Sequence, residues 1–151
     1  MGLSDKVGQD LLAHMKSGDS LRLSVVRLLR TRLKETQIEK RRDLTDEEGY
    51  KVVMSEVSKR KEAVELFKKG GREDLASREL KEIEVLETYL PPKLSEDEVK
   101  VIVAESIKEA GASAPGDLGK VMKVVMPKVT GRAEGSLINR IVRELLAEAK
   151  D

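Results

Sequence analysis

Residues 117–146 read DLGKVMKVVMPKVTGRAEGSLINRIVRELL, and this stretch decides the fold of the C-terminal part of the chain. Apolar residues recur at positions i, i+3, i+4 and i+7 within 118–125 and again within 137–146, a spacing typical of helices with one buried face. Pro127 lacks a backbone donor, so the first helix should kink or end within about a turn of it. Gly131 follows where the chain must reverse, and glycine adopts a left-handed backbone without a steric penalty. The stretch therefore predicts two short helices joined by a tight turn.

A boundary between two lobes is predicted at Pro91 and Pro92, because each proline disfavours helix in the residue that precedes it. Residues 95–98 (SEDE) have the Ser-x-x-Glu form of a capping box and should open a new helix, which Gly111 ends. Together with the two helices of the opening stretch, this gives a C-terminal domain of three helices in residues 93–151.

Residues 1–92 contain four amphipathic segments separated by capping and turn residues, as in a bundle with short connections. Their expected positions are a first helix from the N-cap Ser4 to Gly18, a second at 21–41, a third opened by a capping box at Thr45 and stopped by Gly70-Gly71, and a fourth at 72–89. Met15 in the first helix and Leu80 in the fourth are expected to face the core. Neither an alternating strand pattern nor a glycine-rich phosphate loop occurs. The sequence therefore predicts an all-α protein, with an N-terminal four-helix, bundle-like lobe followed by a small three-helix C-terminal lobe.

The composition favours a soluble helical protein of one or two small domains. Of the 151 residues, 38% are charged and 2% are aromatic, so the core must be built from Leu, Val, Ile and Met side chains. No cysteine is present, which excludes disulfides and thiolate metal sites. The apolar runs are too short for a membrane span, and the first residues lack the features of a signal peptide. We therefore expect a cytoplasmic protein with no membrane partner.

The sequence contains no candidate catalytic centre, cofactor site or metal site. His14 is the single histidine, and no cysteine or second histidine could complete a metal site with it. Carboxylates are spread along the predicted helix faces, and the serines lack the setting of an activated nucleophile. The residues therefore favour a protein that is not an enzyme and binds no cofactor.

Several short motifs occur in an order that resembles the YqeY-like proteins over nearly the whole chain. In this sequence the motifs are Tyr89-Leu90-Pro91, Leu94-Ser95, Gly119-Lys120-Val121-Met122, Met126-Pro127-Lys128-Val129, Gly131-Arg132-Ala133 and Leu137-Ile138-Asn139. The C-terminal part is similar, more loosely, to the tail domain of the B subunit of glutamine-dependent aspartyl/glutamyl-tRNA amidotransferase. Glu134 departs from the family pattern, which more often has Asp or Asn there, and Glu is a weaker N-cap than either.

The resemblance implies an accessory module without catalytic residues of its own. In the amidotransferase the chemistry belongs to other domains, and the tail-like region contacts tRNA. The implied partners are therefore tRNA and the tRNA-amidotransferase or aminoacyl-tRNA machinery. A carbon–nitrogen ligase activity with glutamine as amide donor would be implied by the resemblance alone, because no residue of this sequence supports it. The alternative is a protein-interaction adaptor that binds no RNA, and the sequence leaves the oligomeric state open.

Basic side chains of the C-terminal lobe are the candidates for contact with tRNA. They are Lys120, Lys123, Lys128, Arg132 and Arg140. This lobe has no aromatic residue that could stack on bases, so a contact would be directed at the phosphates and at the shape of the RNA. The alternative is that these residues only solubilise the surface.

A second basic stretch lies at residues 22–42. Its basic residues are Arg22, Arg27, Arg30, Arg32, Lys34, Lys40, Arg41 and Arg42. Against these eight stand Glu35 and Glu39, which leaves a balance of +6. We interpret this stretch as a solvated helix face whose arginines pair with acidic neighbours on adjacent helices, rather than as a dedicated nucleic-acid surface.

Overall fold

The computed structural model describes residues 2–149, and the regular secondary structure in this range is entirely helical. The α-helices are, in chain order, α1 (Leu3–Ser17), α2 (Ser20–Lys40), α3 (Asp46–Lys69), α4 (Glu73–Glu87), α5 (Glu96–Ala110), α6 (Leu118–Val129) and α7 (Gly135–Ala149), with a 3-10 turn at Pro115–Asp117. The all-α class predicted from the spacing of the apolar residues is confirmed.

The helices form two compact units that divide between Leu90 and Pro91. In the first unit α3 packs along α4, α1 packs on α2, and α2 contacts both α3 and α4. In the second unit α5 contacts both α6 and α7. Each unit has its own aliphatic core. Fully or almost fully buried members are Val25, Leu29, Val53 and Leu86 in the first core, and Val103, Val125, Ile138 and Leu146 in the second.

Two helices begin with the capping boxes that the sequence predicted. At α3 the Glu48 N–H donates to Thr45 Oγ1 over 3.2 Å, and the Thr45 N–H donates to Glu48 Oε1 over 3.0 Å. At α5 the Glu98 N–H donates to Ser95 Oγ over 3.1 Å, and the Ser95 N–H donates to Glu98 Oε1 over 3.0 Å. Each box pairs two backbone donors that the helix itself leaves without an acceptor.

Left-handed residues end several helices and turns, as the glycines in the sequence indicated. Gly18 after α1 and Gly111 after α5 have φ values of 74° and 65°. Gly131, in the turn between α6 and α7, has a φ of 83°, which confirms the predicted left-handed backbone. Pro127 lies in the last turn of α6, which ends at Val129 as expected from the missing donor.

The predicted start of α1 is wrong. The helix begins at Leu3 rather than after Ser4, and the Ser4 side chain lies inside its first turn. The Leu3 N–H donates instead to Oδ1 of Asp46, over 3.0 Å. Asp46 belongs to the first turn of α3, so a carboxylate that is remote in the sequence replaces a local N-cap.

Two apolar residues that were expected to face the core are exposed. Met15 is 53% exposed and Leu80 is 44% exposed. On α1 the buried residues Leu3, Val7 and Leu11 follow one another at a spacing of four, which drifts by about 40° per step around the helix. By the next step Met15 has therefore turned out of the core. Leu80 lies at the edge of the buried face of α4, where it remains partly in solvent.

Candidate nucleic-acid interface

Helix α6 buries one face and presents lysines on the other. Val121, Val125 and Val129 are fully buried in the second core. Lys120 and Lys123 lie about one turn apart on the opposite side, and both are exposed. In the part of the chain that the structure describes, no carboxylate lies within ion-pair distance of either lysine. Lys120 is still close enough to Asp117 to contribute, after the backbone N–H groups of Ser113 and Ala114, to a lowered pKa of that carboxyl.

Lys128 is held by its own domain. It is half-buried, and its Nζ lies 2.8 Å from Glu109 Oε1 and 3.4 Å from Ser106 Oγ. Ser106 is fully buried and donates in turn to the carbonyl of Ile102 over 2.8 Å. Lys128 therefore joins the end of α6 to α5, and a phosphate would have to compete with Glu109 for it.

Arg132 holds the first residues of the second unit in place. Its Nε donates to the carbonyl of Pro92 over 3.4 Å, and its own carbonyl accepts the Leu94 N–H over 2.8 Å. These two bonds fasten the residues before α5 to the turn after α6. The side chain is half-buried, so only part of its guanidinium is open to a ligand.

Arg140 of α7 pairs with two carboxylates. It donates to Glu96 at the start of α5 and to Glu144 one turn further along α7, the second over 3.1 Å. A hydrogen bond from Arg140, together with its charge, lowers the pKa of Glu96. Of the five candidate residues, Lys128 and Arg140 have carboxylate partners and Arg132 has a backbone carbonyl as partner, all within their own unit. Lys120 and Lys123 are the two that have neither an ion pair nor a side-chain hydrogen bond among the described residues.

The basic residues of α2 divide into two groups. Half of them have acidic partners: Arg22 with Asp19, Arg32 with Glu35 and Glu56, and Lys40 and Arg42 with Glu48. The sequence interpretation expected partners on adjacent helices, which holds for Arg32, Lys40 and Arg42, whereas Arg22 pairs with the N-cap of its own helix. The other half, namely Arg27, Arg30, Lys34 and Arg41, have no carboxylate within ion-pair distance among residues 2–149, and all four are exposed.

The four unpaired cations lie along one side of α2, and we call them the α2 cationic stripe. At about 100° per residue they fall within about 60° of one another around the helix axis, with Arg41 just beyond the last turn. On the same projection the buried residues of α2, such as Leu29, are centred roughly 115° away from the stripe, so the stripe borders the buried face and lies outside it. Their spacing of three, four and seven residues was visible in the sequence, but only the structure distinguishes the paired arginines from the unpaired ones.

The buried charges of the first unit connect helices. Glu56, which is 5% exposed, accepts from Arg60 Nη1 over 3.2 Å, and Arg60 Nε also reaches Glu82 of α4 over 3.2 Å. Burial, and to a smaller extent the charge of Glu82, raises the pKa of Glu79 beside them. These contacts fasten α3 to α4. Across residues 2–149, no three His, Asp or Glu side chains are grouped so that they could hold a metal ion.

Comparison with known proteins places the chain in a family. A family model described as Yqey-like protein matches residues 4–146. The chain belongs to the Yqey-like protein family. This match covers both units and confirms the resemblance seen in the short motifs. Within the described range, none of the helices has both the length and the apolar character that crossing a bilayer requires.

Relatives of this Yqey-like chain carry two kinds of name. It is 34% identical over 110 residues to "Altered inheritance of mitochondria protein 41, mitochondrial" of Kluyveromyces lactis, and 32% identical over 110 residues to the protein of that name in Lachancea thermotolerans. Each match covers 71% of this chain and 60% or 59% of the relative, so the chain spans about three fifths of their length. It is also 39% identical over 64 residues to a subunit of glutamyl-tRNA(Gln) amidotransferase from Methanospirillum hungatei, a match that covers 38% of this chain and 10% of that protein.

The expected cytoplasmic location is contradicted by these relatives. Three of them, including one from Pyrenophora tritici-repentis that is 25% identical over 143 residues, are named as mitochondrial proteins. The expectation relied on composition and on the first residues of the chain. The names of these relatives overturn it.

Proposed function

We propose that this Yqey-like chain is a non-catalytic module that binds the sugar–phosphate backbone of tRNA. It would serve tRNA-dependent amidotransferase machinery. The observation that carries the proposal is the match to the amidotransferase of Methanospirillum hungatei. The matched segment is 64 residues long and makes up 10% of that protein. A short segment that this small chain shares with a much larger protein is typical of a binding module that occurs in different proteins. The larger protein is named for its action on glutamyl-tRNA(Gln), which suggests tRNA as the ligand.

The chemistry of the second unit supports backbone contact over base recognition. Residues 91–151 contain no Phe, Tyr or Trp, so stacking on unpaired bases has no platform there. Lysine ammonium groups attract phosphates as point charges and read no sequence. Lys120 and Lys123 of α6 are the primary contacts, and Lys128, Arg132 and Arg140 contribute where their intramolecular partners leave donors free.

The test is a titration of fluorescent, unfractionated tRNA with the full chain at a series of salt concentrations. Each phosphate contact contributes about 0.9 to the slope of log affinity against log salt for a duplex. Lys120→Gln with Lys123→Gln should therefore reduce the slope by about 1.8. The matched control is Lys100→Gln with Lys108→Gln, which removes the same charge from exposed positions of α5 and should leave the slope unchanged.

Two results would contradict the proposal. If the parent does not bind tRNA even at low salt, the chain is better explained as a protein-interaction adaptor. If the α5 control loses as much affinity as the α6 variant, the binding reflects overall charge and not a surface on α6.

A further inference from the structure

We infer that the α2 cationic stripe, formed by Arg27, Arg30, Lys34 and Arg41, is a second RNA-binding surface that takes the sugar–phosphate backbone. The inference rests on the proposed function for its class of ligand, but it concerns the other unit and other residues. It replaces the sequence interpretation of this stretch as a solvated face only.

The distribution of charge around α2 supports a polyanion. The stripe runs from residue 27 to residue 41, a distance of about 21 Å along the helix axis at 1.5 Å per residue, and no acidic residue of α2 lies within it. Glu35 and Glu39 lie on the flank of α2 that faces α3, where Glu35 pairs with Arg32 over 3.1 Å. A row of cations at this spacing matches a ligand that carries a regular row of negative charges.

Solubility alone does not require this arrangement. Like charges at spacings of three and four residues, as for Arg27 with Arg30 and Arg30 with Lys34, destabilise a helix. Arg32 and Lys40 of the same helix, and Arg42 just after it, pair with carboxylates of α3, so the unpaired cations are confined to the stripe in this part of the chain. A cation near the C-terminus of a helix is favoured by the helix dipole, which accounts for Arg41 but not for Arg27 and Arg30 in the middle.

The backbone at Arg41 is an independent observation. Its φ is 56°, and among residues 2–149 it is the only residue other than glycine with a positive φ. Its N–H donates to the Ile38 carbonyl over 3.2 Å and the Arg42 N–H donates to the Gln37 carbonyl over 3.3 Å, which closes α2 in a Schellman motif. Glycine occupies the equivalent position after α1 and α5. An arginine at a position where glycine is easier points to a use for its side chain.

The experiment compares four forms of the full chain in binding to fluorescent, unfractionated tRNA. They are the parent, a stripe variant (Arg27→Gln, Arg30→Gln, Lys34→Gln), a control of equal charge on exposed positions of α3 and α4 (Lys68→Gln, Lys69→Gln, Lys81→Gln), and the α6 variant (Lys120→Gln, Lys123→Gln). Glutamine has a helix propensity close to those of arginine and lysine, so the fold should be kept. Circular dichroism and melting temperature are measured for each form.

We expect the stripe variant to bind more weakly than the control and to depend less on salt. Three contacts contribute about 2.7 to the slope, so between about 50 and 200 mM salt the parent should lose roughly 40-fold more affinity than the stripe variant. Arg41→Gly should weaken binding while its melting temperature stays the same or rises, because glycine relieves the left-handed residue. If Arg41 had only a structural role, its replacement would change the melting temperature and would weaken tRNA binding only through a loss of folded protein.

The outcomes distinguish this inference from the proposed function. If the stripe variant binds as the parent does while the α6 variant loses affinity, the inference is wrong and the proposed function stands. If the control loses as much affinity as the stripe variant, the effect is one of net charge, and the inference is also wrong. If the parent binds no tRNA, both fail, and capture of an acidic protein by the stripe would become the explanation to examine.

Discussion

Gly131 is the residue at which the second unit depends most directly on backbone geometry. Its φ of 83° lies in the left-handed region, where a residue with a side chain is strained, and the residue is buried. We expect Gly131→Val to destabilise the unit by about 1–3 kcal/mol, since a β-branched residue is a genuine outlier at positive φ. The free energy of unfolding of the full chain, measured with urea, tests this.

Gly119 provides the matched control for that measurement. It lies in α6, has no positive φ, and a Cβ added there would meet no atom within 4 Å. Gly119→Ala should therefore stabilise the helix, by up to about 1 kcal/mol. If Gly131→Val left the unfolding free energy unchanged, the turn would have to rearrange to a conformation that any residue can adopt.

Single residues also mark the limit of what the sequence predicts. The five basic residues of the C-terminal lobe were recognisable by type, but their partners were not. Lys128 pairs with Glu109, 19 positions away, and Arg140 with Glu96, 44 positions away. Pairings at these separations depend on how helices pack, and the periodicity of one helix contains no information about them.

The stability of the first turns of α3 and α5 should depend on pH, because each has a glutamate whose pKa is lowered in the folded chain. Hydrogen bonds from Arg42 and Lys40, and then from the Thr45 N–H, lower the pKa of Glu48 far below its ordinary value. A lowered pKa means that the charged carboxylate stabilises the fold. This stabilisation is complete above the unfolded pKa of about 4.3 and is lost as the pH falls below it. Glu98 in α5 has the same sign of shift, caused mainly by the Ser95 N–H.

We expect Glu48→Gln to lower the unfolding free energy at neutral pH and to lower it progressively less as the pH falls below about 4.3. Urea unfolding of parent and variant over a series of pH values measures the difference. Glu62→Gln, an exposed position of the same helix, is the control and should show no such trend. A constant difference at all pH values would mean that Glu48 acts through packing and not through its charge.

Elements were predictable where their signals are local. Thr45, Ser95 and Gly111 decide helix ends through atoms within a few residues, and the sequence was sufficient to place them. The start of α1 was missed because its acceptor, Asp46, lies 43 positions further along the chain. The exposure of Met15 was missed because the spacing of four from Leu3 to Leu11 was extended by one more step. Each step rotates the position by about 40° around the helix, and this last step places the side chain outside the core.

The second unit of the molecule includes the short segment that precedes α5. Its contacts begin at Pro91, before the first residue of α5. Leu94 packs against the second core, and its N–H donates to the Arg132 carbonyl over 2.8 Å. The Pro92 carbonyl accepts from Arg132 Nε. The segment 91–94 is thus part of the folded unit, although it has no regular secondary structure of its own.

A fragment of residues 91–151 should therefore unfold cooperatively, and a fragment of residues 95–151 should be less stable. The loss should be about 1–3 kcal/mol, from the apolar burial of Leu94 and the hydrogen bond of its N–H. Both fragments should be acetylated, so that no terminal charge lies at the start of α5. Leu94→Ala in the longer fragment separates the two contributions, because it keeps the backbone bond and removes the packing. If the two fragments were equally stable, residues 91–94 would be only a connection and not part of the folded unit. If the longer fragment showed no cooperative transition, the second unit would need the rest of the chain in order to fold.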